Sequence, residues 1–286
     1  MQPRQKGILL IVAAAMLWSS GGIGIKAISE SALKVAFYRS LFAGIALLAL
    51  FGRDVWGRRR WKSTPLFAGA VISYAACLIT FVVATKWTTA ANAIFLQYAG
   101  VVWVLLFSPI VTKEPMRMRD AAAIAVAFSG MALFFVGRFE TRGMAGNMMA
   151  LTSSVFFAAL VLAMRRENQA AQSVIIWGNI FVAAALLPFV AGNLSLTAKS
   201  FTVLLLLGLF QIALPYVLFA RGLRYVTATQ ASLTGMIEPI ANPIWVFLVL
   251  GERPGGFSIL GGAIVLGAVA WRTLSGGAAV ATPPPD

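Results

Sequence analysis

Residues 87–93 read Trp87-Thr88-Thr89-Ala90-Ala91-Asn92-Ala93, and residues 225–231 read Tyr225-Val226-Thr227-Ala228-Thr229-Gln230-Ala231. Aromatic, threonine, alanine and amide positions coincide along the two stretches. Outward from this match, Lys86 meets Arg224 and Phe81 meets Phe219, while Glu114-Pro115 aligns with Glu252-Arg253-Pro254 across a one-residue gap. With the shift raised by one or two residues, Trp18 falls on Phe157, Lys26 on Arg165, and Phe37-Tyr38-Arg39 on Trp177-Gly178-Asn179. The chain therefore reads as a duplication: a first repeat over residues 1–138 and a second over 139–274. A Gly- and Pro-rich tail over 275–286 is expected to be disordered.

Hydropathy says what each copy contains. Of 286 residues, 60% are hydrophobic and 11% charged, too few polar groups to clothe a globule in water, so a bilayer is the natural solvent. Uncharged windows run over 7–25, 63–85, 87–112, 143–164, 168–198, 200–220 and 254–271, with a shorter one over 121–137. Two more are interrupted once, 35–52 by Arg39 and 225–251 by Glu238. A spanning helix needs ~20 residues, which predicts ten helices; barrel strands would be about half as long and alternate polar with apolar. Five helices per copy is an odd number, so the second copy enters the membrane from the opposite side. The expected fold is an all-α membrane protein, ten transmembrane helices arranged as two inverted five-helix repeats around a central cavity. Inverted repeats give two related packings, each open to one face, with the substrate site near the midplane.

The formal net charge of +14 invites a nucleic-acid reading, but the positions of the charges point to the membrane instead. With the N-terminus cytoplasmic, both termini share that side, and most Lys and Arg fall there, richest in Arg58-Arg59-Arg60-Trp61-Lys62. That is the positive-inside bias, and the cluster suits anionic lipid. A multi-pass bacterial inner-membrane protein with no nucleic-acid partner is expected. Arg4-Gln5-Lys6 before an apolar run imitates a signal peptide, but the segment recurs as a repeat start. Cys77 is the single cysteine and histidine is absent, so neither a disulfide framework nor a Cys- or His-based metal site is expected. No Walker-type phosphate loop occurs. No cofactor is expected, and the self-sufficient repeat predicts a monomer.

The ninth span carries the most chemistry. Gln230, Thr234, Glu238 and Asn242 recur every four residues, sharing one face of a continuous helix, with Trp245 near its end. Pro239 and Pro243 remove backbone donors and expose the carbonyls of Gly235 and Pro239, defects tolerated in a membrane where protein or a cavity satisfies them. Glu238 is the one acid deep in a span, a candidate for proton or substrate coupling; a protonated brace for the proline kink is the alternative. Asn92, Tyr98 and Trp103 in the fourth span, with Trp18, Tyr74 and Trp177 nearby, complete a set of rings and amides suited to a flat, partly apolar solute. The same aromatic residues also suit interfacial belts. Arg39 either snorkels outward past Lys34 or guards an outer gate. Lys26 and Arg165 read as orientation anchors, and Ser19-Ser20-Gly21-Gly22 as close helix packing.

Met16-Leu17-Trp18-Ser19-Ser20, Ala36-Phe37-Tyr38-Arg39, Glu238-Pro239-Ile240-Ala241-Asn242-Pro243 and Leu250-Gly251-Glu252-Arg253-Pro254 together resemble the drug/metabolite transporter superfamily in its EamA-type, ten-span branch. The likeness spans about residues 7–272. It implies a basket of helices exporting small metabolites, with aromatic amino-acid exporters as the nearest functional analogy. The first half departs from the pattern, with Gly100-Val101 where a Glu-Pro-like pair is expected and Thr112-Lys113 in place of Leu-Gly. A proton-coupled exporter of cationic drugs is the competing cargo. A membrane-embedded enzyme acting on lipid would need an acid–base pair or metal site, which the sequence does not display.

Overall fold

The computed structural model describes residues 2–57, 65–134, 136, 143–166, 171–241 and 256–275, and these contain helices and no strand. In chain order the helices are α1 (Pro3–Trp18), α2 (Gly21–Lys26), α3 (Ala32–Gly57), α4 (Pro65–Trp87), α5 (Ala90–Gln97), α6 (Gly100–Val111), α7 (Met118–Phe134), α8 (Met144–Arg166), α9 (Ala171–Val190) and α10 (Ala198–Leu206). A π-helical segment, Leu207–Ala213, leads into α11 (Leu214–Gly222), followed by α12 (Ala228–Gly235) and α13 (Gly256–Leu274). Among the described residues, 7 helical stretches are long and apolar enough to cross a membrane, α1–α2 and α5–α6 each contributing to one such stretch, and a shorter apolar helix covers Ile259–Leu274. Helix α7, at 17 residues, is shorter than these. The expected tail and the residues Asn242 and Trp245 lie outside the described residues.

The duplicated stretch that opens the sequence reading has a local physical cause. Thr89 and Thr227 occupy equivalent places and each is an N-cap, its side chain accepting from the backbone N–H of Asn92 and Gln230 respectively. Such a cap satisfies one of the orphan donors of a helix start, so the motif marks where α5 and α12 begin.

The packing also comes in exchanged pairs. α1 lies against α11 while α8 lies against α4; α1 also meets α12 while α8 meets α5 and α6; α3 packs on the π segment while α4 packs on α9. α3 with α9, and α7 with α13, pair equivalent helices directly. Small residues allow the closest of these approaches: a Cβ on Gly7 would stand 3.0 Å from the Gly222 carbonyl, and one on Gly146 would stand 2.7 Å from the Thr88 backbone nitrogen. At the helix ends, the Lys26 ammonium donates to the Thr88 carbonyl at 2.8 Å, and its repeat partner Arg165 donates to the Leu223 carbonyl at 3.0 Å. Both cations thus satisfy carbonyls at the end of a neighbouring helix, where the helix dipole also favours them. The two residues read as orientation anchors are helix clamps in the structure.

Candidate functional site

The helices lose regularity in the same region. α1 ends at Trp18 and α2 starts at Gly21, with the Ser19 and Ser20 hydroxyls turned back onto the carbonyls of Met16 and Leu17. α5 ends at Gln97 and α6 starts at Gly100; α12 ends at Gly235 and helical geometry resumes at Glu238. The last two interruptions fall at equivalent places in the repeat. At the second, Pro239 has no N–H to give the Gly235 carbonyl. The Tyr98 hydroxyl takes that place, donating to the Gly235 carbonyl at 2.5 Å, while its oxygen lies 2.8 Å from Glu238 Oε2.

Between these interruptions lies a small cavity of about 40 Å³, well below the ~300–1,000 Å³ of preformed small-molecule sites. Trp18, Arg39, Cys77, Leu78, Phe81, Gln97, Tyr98, Phe157, Gln211, Ile212, Tyr216 and Glu238 line it. Two pairs of repeat equivalents, Trp18 with Phe157 and Leu78 with Tyr216, share this wall, so both halves build it. Trp18 stacks edge-on against Tyr216 at 5.0 Å between centroids and lies tilted at 5.2 Å from Phe219. These geometries suit the ring quadrupoles and fix the indole in place.

The sequence-predicted residues divide. Trp18, Tyr98 and Glu238 stand on the cavity, as does Arg39, which is 2% exposed rather than snorkelling to a surface. Its Nη2 donates to Gln211 Oε1 across the α3–π-segment contact. Tyr74 is fully buried one layer back, its hydroxyl accepting from Asn179 Nδ2 at 2.8 Å and its ring edge-on to Tyr216. Asn92 joins Thr88 and Asn147 in a polar cluster between α5 and α8, with Nδ2 3.2 Å from each oxygen. Trp103 is 38% exposed, its indole N–H 3.2 Å from the Ser154 hydroxyl. Trp177 in α9 is half-buried, and Gln230 and Thr234 are buried in α12, the Thr234 hydroxyl donating to the Gln230 carbonyl; none of the three lines the cavity. The continuous face expected from Gln230 to Asn242 is interrupted, because the missing Pro239 donor ends α12 four residues earlier. Gln211, Gln97 and Phe157 are cavity residues that the sequence placed only nearby or as repeat partners.

Why the halves differ at Glu238 is also visible. Its repeat equivalent is Gly100, and a Cβ there would stand 2.9 Å from the Ser154 carbonyl. α6 is pressed so closely on α8 that no side chain fits. The departure from the Glu-Pro-like pair is a packing constraint.

Gln211 owes its position to the π segment. Tyr74 and Gln211 are 137 residues apart, whereas beyond the segment Leu78 and Tyr216 are 138 apart, which is the one extra residue of a π-bulge. With that residue counted, Arg39 to Gln211 and Asn179 to Tyr74 are equivalent bonds, each tying the second helix of one half to the third of the other.

Residues 5–136 and again 144–274 match the EamA-like transporter family. An uncharacterized transporter of Archaeoglobus fulgidus is 26% identical over 275 residues, covering 93% of this chain and 96% of that protein. The pseudopaline exporter CntI of Pseudomonas aeruginosa is 24% identical over 269 residues, covering 92% and 94%. A crystal structure superposes with a TM-score of 0.81 at 17% identity, covering 95% of this chain and 98% of the other, which is a likeness of fold. With both halves matched and the whole length shared with such relatives, the chain belongs to the EamA-like transporter family, as a multi-pass membrane transporter.

Proposed function

We propose that this chain exports small metabolites across a bacterial inner membrane, with neutral and aromatic amino acids as its cargo, and that it does so by alternating access. On this reading ten spans form two inverted repeats, residues 1–138 and 139–274, with both termini cytoplasmic and the single chain as the working unit. The observation that carries it is the cavity built by both halves at the helix interruptions, within packing that recurs when the halves are exchanged. Broken helices around a midplane site are what rocking inverted repeats require, and the wall of Trp18, Phe81, Phe157 and Tyr216 suits a flat apolar side chain. A relative named as an exporter supports the direction. Solute contacts are assigned to Trp18, Tyr98 and Glu238, with Asn242 and Trp245 next along the chain. Tyr74 and Asn92 support the site from behind, and the Arg39–Gln211 tie is the outer closure.

Glu238, the carboxyl on this cavity, favours a second reading in which a cationic drug is exchanged for protons. Flux decides between them. Proteoliposomes are loaded with labelled phenylalanine, tryptophan, threonine or a cationic dye, with and without a pH gradient. Aromatic amino-acid flux without a gradient supports the first reading; dye flux that needs the gradient replaces it with the second; no flux of any amino acid rejects the first.

A further inference from the structure

Arg39 is held in the cavity wall with no charge partner among the described residues. It is 2% exposed. Its Nη2 is taken by Gln211 Oε1, yet Nε and Nη1, which carry three of the five guanidinium donors, meet no acceptor among the described residues. The carboxyl on the same wall, Glu238, is bonded to Tyr98 and makes no ion pair with Arg39. A buried, permanently charged guanidinium with open donors is costly unless an anion completes it, and a planar fork is the best side-chain match to a carboxylate.

The surroundings hold this geometry in place. Gln211 reaches Arg39 because the π segment turns it there, and Gly21 leaves it room, since a Cβ on Gly21 would stand 2.4 Å from Gln211 Nε2. The break at Ser19-Ser20 and the π segment therefore act on one point. We infer that Arg39, positioned by Gln211, is the receptor for a carboxylate on the transported solute. Glu238 with the aromatic wall receives the other end, so that a zwitterionic amino acid is matched at both charges. This rests on the proposed role of the cavity as the solute site.

The test uses the full chain in proteoliposomes, with labelled phenylalanine as the transported probe. Its competitors are hydrocinnamate, which keeps the carboxylate alone, and phenethylamine, which keeps the ammonium alone. Hydrocinnamate should compete in the wild type, and Arg39→Gln should raise half-saturation for phenylalanine and hydrocinnamate by about ten- to a hundredfold, the loss of a charge-assisted pair. Arg39→Lys keeps the charge without the fork and should fall between. Gln211→Leu, which leaves the guanidinium in place, should also weaken phenylalanine, and by more than it weakens phenethylamine. Unchanged half-saturation in Arg39→Gln, or phenethylamine competing as well as phenylalanine in the wild type, overturns the inference. Thermal stabilisation of the detergent-solubilised protein by hydrocinnamate is the second readout. If phenylalanine is not carried but hydrocinnamate stabilises the wild type and not Arg39→Gln, the amino-acid reading falls and the Arg39 assignment stands. If no carboxylate stabilises the wild type and none is carried, both fall.

Discussion

Replacing Tyr98 by Phe removes one oxygen and tests how the break before Pro239 is held. That hydroxyl has one hydrogen and two neighbours, the Gly235 carbonyl at 2.5 Å and Glu238 Oε2 at 2.8 Å. Both neighbours are acceptors, so the single phenol hydrogen is shared between the Gly235 carbonyl and the Glu238 carboxyl. In the Phe variant the Gly235 carbonyl and Glu238 Oε2 both lose that donor. Tyr98 is 6% exposed, so water does not simply replace the hydroxyl. Leaving one buried group unsatisfied costs about 1–3 kcal/mol, which for a chain of this size is a fall in Tm of roughly 2–10 °C. The assay is thermal unfolding of the purified protein in detergent. Glu238→Gln is the companion, since its amide oxygen can still accept from the phenol, and its Tm should stay close to wild type. A Tyr98→Phe protein that melts within about 1 °C of wild type refutes the account, and so does a Glu238→Gln variant less stable than Tyr98→Phe.

Three further outcomes follow from other contacts. Gly100→Ala places a methyl 2.9 Å from the Ser154 carbonyl and should cost about 1–3 kcal/mol by overpacking. Gly69→Ala, in α4 with nothing within 4 Å of its Cβ, should gain roughly 0.5–1 kcal/mol, and their Tm values give the contrast. Glu114 joins three elements, receiving Arg165 Nε at 2.7 Å and the Ala228 backbone N–H at 3.0 Å while Arg165 holds the Leu223 carbonyl. Glu114→Ala should lower stability by about 1–3 kcal/mol, with a non-additive double-mutant cycle against Arg165→Ala in thermal unfolding. The Glu30 carboxyl in the loop before α3 is held below its ordinary value of 4.5, chiefly by its hydrogen bond from Lys34. That stability is present above the unfolded value and lost as pH falls through the lowered folded one. Glu30→Gln should therefore flatten the acid side of the Tm–pH profile.

Helix positions were legible in the sequence because length and hydropathy are enough to define a span. The repeat was legible through residues with fixed local duties: the caps at Thr89 and Thr227, and the clamps at Lys26 and Arg165. Trp18, Tyr98 and Glu238 were singled out for lying well inside their spans, and all three stand on the cavity. The readings that shifted depended on register. Gln230 and Thr234 leave the expected face because periodicity assumes an unbroken helix, and Pro239 breaks it. Arg39 was read from its distance to the surface along α3, which is silent about a partner on another element. Gln211 reaches that partner through a π-bulge, and one inserted residue in an apolar helix leaves no compositional mark. Trp103, bonded to Ser154 and away from the cavity, shows that an indole inside a span is as readily a packing group.

The crowding at Gly100 reaches beyond the present chain. After a duplication, two copies are interchangeable only while a change in either can be repeated in the other. At this position that exchange is closed, because any side chain strikes the main chain of Ser154. Symmetry cannot return there by a single substitution; the α6–α8 seam would first have to separate. A carboxyl at this level of the fold can therefore be carried by the second copy alone.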